Sequence, residues 1–448
     1  MAKLLYAALM AFAVAGSGAA QETDARAIVE HAIAAQGGRD KLDLAAASFH
    51  KVKGAFHHDR WAFVGESFVD GPNRERFNLR GDGSGSGSSS EGFSEGIRTM
   101  VVEDNKGWYS WNGAIIDFDQ KTQANMKKAA YADKVSSLVA LVRDPGYTLS
   151  PLGESQVKGS KTIGVKVRFQ GMPEISLYFD KTSMLLLKTS YKMTDVESQK
   201  EYSREVYYSR YEVYDPASEP IKFLRAAEQA TDEPALVEFL RKRVPSSKER
   251  EQIDLHILEL GQSNYSAREK ASAALRQLGP KAVGPLRAAM QCPDREVVRR
   301  AEQLLERITK GGEPALTQAA VRVLGARGQR KAAEILFAYL PSACDEAVAK
   351  EVQFALVALV ERDSKTRLYA ESRLEDPVPA IRAAAAAVLG RDGKTFLNQP
   401  WRRIVVDGLH MARAVQVFRD GRLDFEMETF ETEFYNRFDD ALFARPQE

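Results

Sequence analysis

The side chains able to do chemistry are few and scattered. The chain has six histidines, His31, His50, His57, His58, His256 and His410. Only His57 and His58 stand together, in "FHHDR" beside Asp59. Successive strand residues point to opposite faces, so this cluster does not converge on one metal ion and reads as a strand-end surface feature. His256 in "DLHILEL" lacks the second histidine and the glutamate of a zinc-binding helix and reads as a helix-face residue. Cys292 and Cys344, the two cysteines, lie in helical sequence with no histidine nearby. One optional disulfide bridge is therefore open to them, but they make no case for a thiol nucleophile. There is no Walker loop. The glycines of "GDGSGSGSSSEGFSEG", residues 81 to 96, imitate a phosphate cradle, but no apolar strand leads into them and no helix start follows. Such a segment cannot bury enough apolar surface to order itself.

Carboxylates are abundant. In "DFEMETFETE" they alternate with apolar residues, which places them on one solvated sheet face rather than in a paired acid/base geometry. Tyr202, Tyr207, Tyr208, Tyr211 and Tyr214 divide between the two faces of one strand and could line a groove. No catalytic residue, metal ligand or cofactor is assigned, and the expectation is a protein that is not an enzyme. Charge is equally silent. With 63 basic and 62 acidic residues the net charge is +1, which gives no electrostatic reason to expect nucleic acid or an anionic membrane as partner.

The 448 residues correspond to roughly three domains at about 150 residues each. The start, "MAKLLYAALMAFAVAGSGAAQ", has one basic residue, Lys3, an apolar run from Leu4 to Val14 and small residues up to Ala20. It reads as a secretory signal over residues 1–20, so an exported, periplasmic or cell-envelope location is expected. Its eleven apolar residues fall short of the ~20 that span a bilayer, so no stable span is expected once it is cleaved.

After a short amphipathic helix, "ARAIVEHAIAAQGG", the period changes to two from Ala47 to about Phe118, an antiparallel meander with an Asn112-Gly113 turn. A helix is expected from about Lys121 to Val142, with Tyr131, Val135, Leu138, Val139 and Val142 on the face that covers a sheet. Strands resume and end near Asp215, and helices follow from about Glu219 to Gly390. An Ala-x-x-x-Leu pair recurs there at Ala271/Leu275, Ala301/Leu305, Ala320/Leu324, Ala355/Leu359 and Ala385/Leu389, at intervals of 30, 19, 35 and 30 residues. A small alanine admits a neighbouring helix and a leucine fills the layer, as stacked antiparallel helix pairs require. An irregular bundle is the alternative.

The helical stretch resembles HEAT-type repeats. Its carriers are Arg268 and Ala271, the Gly279-Pro280 break and Pro293-Asp294, then Asp376-Pro377, Arg382, Ala385 and Leu389. The middle copies lack the arginine. The sheet region resembles the bacterial lipoprotein-carrier (LolA/LolB-like) fold through "AIVEHAIAAQGGRDKL", "GYTLSPLGE", "ISLYFDKTSMLLLKT" and the tail "DDALFARP". That resemblance implies an α+β fold, an incomplete antiparallel β-barrel wrapped around helices.

One stretch then needs a home. "FRDGRLDFEMETFE", residues 418 to 431, reads as a hairpin that follows the helices, and a lone two-stranded ribbon is marginal in water. It is expected to complete the early sheet, which makes the helices an inserted all-α HEAT-like solenoid. The expected domains are residues 21–215 and 396–448 for the sheet and 216–395 for the helices. A tail capping the last repeat is the other arrangement. The carrier resemblance implies a concave face that holds an apolar ligand, a lipid, acyl chain or lipid-modified protein, and Phe63, Val101, Leu177 and Phe425 are the candidate lining residues. The alternative is a scaffold in which the repeats bind a protein partner and the sheet is structural.

Overall fold

The computed structural model describes residues 24–58, 60–71, 74–83, 97–103, 106–111, 113–310, 312–343, 346–391 and 400–446. The expected signal, residues 84–96 of the glycine-serine segment, Asp59, Asn112 and Cys344 lie outside them. Among the described residues no helix is long and apolar enough to cross a membrane, and Cys292 forms no disulfide. The chain divides into two compact units, one of residues 1–214 with 406–448 and one of residues 215–405.

The first unit is α+β. Its strands are β1 (Ala47–Phe56), β2 (Trp61–Asp70), β3 (Arg74–Gly81), β4 (Ile97–Glu103), β5 (Lys106–Trp111), β6 (Ala114–Asp117), β7 (Thr148–Val157), β8 (Ser160–Arg168), β9 (Ile175–Asp180), β10 (Leu186–Thr194) and β11 (Glu201–Val213). A two-residue strand, β12 (Arg403–Ile404), belongs to the helical unit, and β13 (His410–Arg419) and β14 (Arg422–Tyr435) return to the sheet. The order along the sheet is β6-β5-β4-β3-β2-β1-β14-β13-β11-β10-β9-β8-β7. The late hairpin therefore lies in the middle. β14 pairs antiparallel with β1 from Ala47↔Tyr435 to Phe56↔Phe425, and β13 pairs with β11 from Arg204↔Arg419 to Val213↔His410. Asp420 and Gly421 turn the hairpin with φ of 46° and 76°, the left-handed pair that matches strand twist. A ribbon that is marginal alone gains a complete ladder on both edges.

The sheet bends where glycine lets strands crowd. A Cβ on Gly54 would stand 2.1 Å from the carbonyl oxygen of Glu426, and one on Gly65 2.2 Å from that of Asn78. Both positions must stay bare for β1, β2 and their neighbours to curve.

Helices lie on one face. α1 (residues 24–35), α3 (Gln120–Ser136) and α4 (Val139–Arg143) bury Val29, Ile33, Tyr131, Val135, Leu138 and Leu141 against Val165, Ile175, Leu177, Phe179 and Val206. The single helix expected from Lys121 to Val142 is broken. Leu138 adopts φ 65° between α3 and α4, and this turn sends Leu138, Leu141 and Val142 into the same core. α2 (Arg39–Leu44) follows α1. On the other face the tail closes a second core, in which Phe438 and Phe443 pack with Ala47, Phe68, Val101 and Trp108.

The second unit is all-α: α5 (Ser218–Ala226), α6 (Glu233–Arg241), α7 (Ser247–Glu259), α8 (Tyr265–Leu278), α9 (Val283–Ala289), α10 (Arg295–Thr309), α11 (Glu313–Arg327), α12 (Arg330–Tyr339), α13 (Glu346–Arg362), α14 (Ser364–Ser372) and α15 (Pro379–Val388). Every alanine and leucine of the five recurring pairs is buried in its core. The two repeat arginines do one job at two places. Arg268 Nη1 donates to the carbonyls of Gln262 and Ser263, and Arg382 Nη1 donates to those of Asp376 and Pro377, in each case the turn that precedes its own helix. The packing is not a plain sequential stack, because α5 and α6 lie against α11 and α12. This folding-back bears on a demand of any insertion, that its two ends approach each other. Asp215 pairs with Arg327 at the end of α11, and Arg403 pairs with Glu351 of α13, which α11 also contacts. In the sheet unit, Tyr214 N–H donates to Leu409 O at 2.7 Å and Gly408 N–H to Tyr214 O at 3.0 Å.

Candidate functional site

The sheet alternates, so register decides which side chains share a face. Leu177 stands opposite Thr189, which stands opposite Val206, then Val417, Phe425 and Phe56 in successive strands. This row, with Phe63 nearby, lies on the helix-covered face. Val101 aligns with Arg76, Phe68 and Phe49, the opposite face, beneath the tail.

The four residues expected to line a cavity are therefore not brought together. Phe63 and Phe425 meet, stacked with ring centroids 5.9 Å apart, inside an aromatic cluster with Phe56 and Trp61. Leu177 is sealed beneath α1 and α3. Val101 is on the other face, and none of the four borders the cavity described next.

That cavity, about 310 Å³, opens on the helix-covered face of the sheet unit. Apolar walls come from Val52, Val69, Leu186, Met411, Val415 and Met427, and polar ones include His50, Ser67, Glu75, Tyr208, Tyr211, His410, Arg413 and Thr432. A larger hollow of about 540 Å³ runs along α8 past Lys270, Ala273 and Gln277, but its walls come from one helix and do not converge.

β1 brings His50 and Val52 to one wall because they are two apart. His50 Nδ1 lies 3.1 Å from Thr432 Oγ1 and its Nε2 2.9 Å from Ser48 Oγ, so both ring nitrogens are engaged. Burial lowers its pKa to about 4, with the Arg413 guanidinium pushing the same way, and the ring is neutral at pH 7. Glu75 on β3 behaves oppositely. Burial first, and then the Asp133 carboxylate, push it up to about 8, against a weak hydrogen bond from Ser67 at 3.5 Å. Its side chain is half-buried rather than sealed, and water at the mouth moderates that shift.

β13 supplies the cation. Arg413 Nε reaches Glu212 Oε2 at 3.2 Å, and Glu212 is 63% exposed, so water screens that pair. Arg413 Nη1 and His410 Nδ1 are both buried and have no hydrogen-bond partner. From β11, Tyr211 donates to the Leu186 carbonyl at 2.7 Å and Tyr208 to Ser136 Oγ at 3.3 Å, which fixes two more walls.

Other polar groups have ordinary partners. His57 pairs with Glu426 at 3.2 Å and His58 with Asp424 at 3.3 Å, at the strand end, while His256 pairs with Glu259 at 2.8 Å along its helix. The "DFEMETFETE" carboxylates face outward, with Lys51–Glu431 at 2.6 Å and Lys53–Glu428 at 3.3 Å across strands. Among the described residues no three His, Cys, Asp or Glu side chains form a metal-holding group.

The set that matters escaped sequence reasoning, which counted His50 and His410 among the six histidines without giving them a role and passed over Glu75 and Arg413. One signal was available. In "HMARAVQVF" the alternation puts Arg413 on the same face as Val415 and Val417, a cation within an apolar row.

Fold and cavity define a class: an open, curved antiparallel sheet that keeps a pocket between itself and its helices. No protein-family model matches the chain, and no curated protein matches it. Among solved structures it is similar to a domain assigned to outer membrane lipoprotein sorting from Vibrio parahaemolyticus, at 10% identity and TM-score 0.27, over 43% of this chain and 80% of that one. It is also similar to a DUF1329 family protein from Desulfovibrio piger, at 10% identity and TM-score 0.26, over 42% of this chain and 80% of that one. A LolA superfamily protein from Nitrosomonas europaea shares 7% identity and TM-score 0.23, over 39% of this chain and 77% of that one.

Proposed function

We propose that the chain is an exported, non-enzymatic binding protein whose sheet unit holds an apolar ligand, a lipid or acyl chain, while its HEAT-type helical unit engages a protein partner. The observation that carries the first half is the cavity. Its volume, about 310 Å³, lies at the small end of the ~300–1,000 Å³ typical of ligand pockets, which favours one acyl chain over a two-chain lipid. Six apolar side chains on five strands face it, and the aromatic cluster of Phe63 and Phe425 continues the wall behind Val52 and Met427.

The test is a titration of the full chain, extracted free of lipid, with the neutral dye N-phenyl-1-naphthylamine. Saturable binding is expected, and Val415→Trp, which fills the pocket, is expected to abolish it with the thermal melt retained. A native chain that shows no saturable binding ends this reading.

For the helical unit the supporting observation is on α7. Leu255 and Leu258, three residues apart and so on one helix face, are 54% and 75% exposed. If a partner covers that face, Leu258→Glu removes its capture by the full chain. Capture unchanged by that substitution counts against α7 as the contact.

A further inference from the structure

Deepening the carrier reading, on which it rests, we propose that the cavity is built for an amphiphile with a single carboxylate headgroup, held by Arg413 and His410 while its chain lies along Val52, Val415 and Met427. Three observations converge on this.

Arg413 on β13 and His410, the first residue of that strand, both line this cavity, and Arg413 Nη1 and His410 Nδ1 are buried without a partner. Buried polar atoms almost always have a hydrogen-bond partner, so two orphans in the lining of one cavity mark where a polar group of the ligand belongs. Charge gives its sign. The lining residues include one guanidinium and one carboxyl, Glu75, and burial beside Asp133 keeps that carboxyl protonated at neutral pH. His50 is neutral, with both nitrogens occupied by Thr432 and Ser48, so it neither competes for the anion nor adds to the field. Arg413 is thus the pocket's one cation: its Nε bonds the exposed Glu212 carboxylate at 3.2 Å, a pair that water screens, and its Nη1 is left without an acceptor. The number of charges and donors gives the class. One guanidinium edge with one imidazole nitrogen matches the two oxygens of a carboxylate, whereas a phosphate monoester would bring close to two negative charges against one cation. The apolar walls require that this carboxylate carry a chain.

Calorimetry on the full, lipid-extracted chain at pH 7 tests it, with laurate, 1-dodecanol and acetate as probes. Laurate is expected to bind with one site and at least about tenfold tighter than dodecanol, since hydrogen bonds to charged groups are the strong ones. Acetate should give no measurable heat. Arg413→Gln is expected to reduce laurate to the affinity of dodecanol, and Arg413→Lys to keep part of the difference. Equal affinities for laurate and dodecanol in the native chain overturn the headgroup proposal and leave the carrier reading standing. No binding of either overturns both, and acetate binding as tightly as laurate overturns the amphiphile. Should Arg413→Gln fail to fold, the laurate-to-dodecanol ratio of the native chain decides by itself.

Discussion

Two stretches of the same sheet face were built from one alternating pattern and ended differently. Around β9, the side chains Ile175, Leu177 and Phe179 are fully buried, pressed by α1, α3 and α4 into a dry core. Around β1, β3 and β13, the corresponding inward positions include His50, Glu75 and Arg413, and a cavity remains. The difference is not curvature alone, since the aromatic end of the same face, with Phe56, Trp61 and Phe63, is filled. The unfilled stretch is the one whose inward row carries His50, Glu75 and Arg413, and burying such groups without partners is costly. The face thus holds a filled region and an unfilled one.

Truncations to alanine in the two regions should separate them most strongly. Leu177→Ala opens a hole in the filled region and is expected to cost about 2–5 kcal/mol in urea unfolding. Val415→Ala, at the cavity wall, is expected to cost less than half as much, because its side chain already borders empty space. Equal costs at the two sites would show that the cavity region is as tightly packed as the core and would remove the distinction.

Next in size is the carboxyl that the cavity tolerates. Glu75 has a folded pKa of about 8 against an ordinary 4.5, so the folded state holds its proton over a window in which the unfolded chain has released it. Stability therefore falls as pH rises between those values and is level outside them. Glu75→Gln, compared with the native chain, should make no difference at pH 4 and be more stable by about 1–2 kcal/mol at pH 8. A pH-independent difference would mean that the carboxyl meets bulk water and that the cavity is no special environment. The helical unit offers the opposite sign. Glu249, whose side chain bonds Lys281 and the Ser246 N–H in the capping box of α7, is lowered to about 2, so its contribution is present above the ordinary 4.5 and lost as pH falls through the folded value. Glu249→Gln is accordingly expected to lower the melting temperature at pH 7 and to leave it unchanged at pH 2.

How far the sequence carried differs between these regions for a physical reason. Burial by period was legible: the stripe of Tyr131, Val135, Leu138 and Val139, the five alanine-leucine pairs and the need of the late hairpin for an outside ladder all follow from local pattern. What pattern cannot supply is registry between distant strands. Phe63 and Val101 look alike in sequence, each apolar in an alternating strand, yet the pairing of β2 with β3 and of β3 with β4 puts them on opposite faces. The cavity depends on that long-range registry, because His50, Glu75 and Arg413 come from β1, β3 and β13 and meet only once the insertion has been spanned. In the sequence, apolar type in an alternating strand points to the cavity wall, whereas the cavity lies where polar residues interrupt an apolar row. Likewise the break at Leu138 and the docking of α5 and α6 on α11 and α12 are tertiary events with no local signature.

The smallest expected effect lies on the outward face of the same hairpin and serves as the control for the cavity groups. Burial works to raise the pKa of Glu428, but Lys53 at 3.3 Å and Arg210 at 2.9 Å outweigh it, and the net shift is downward. Its stabilisation is therefore present above the ordinary carboxylate range and fades as pH falls, the reverse of Glu75 on the inward side. All three side chains are at least 32% exposed, so solvent screens the network and Glu428→Gln is expected to cost only ~0.2–1 kcal/mol at pH 7 and low salt. Half-molar salt should erase most of that difference, because the Debye length is then only a few ångströms. If salt leaves it intact, or if the Glu75→Gln difference is equally salt-sensitive, the inward and outward faces share one dielectric environment and the pocket cannot hold a charged headgroup selectively.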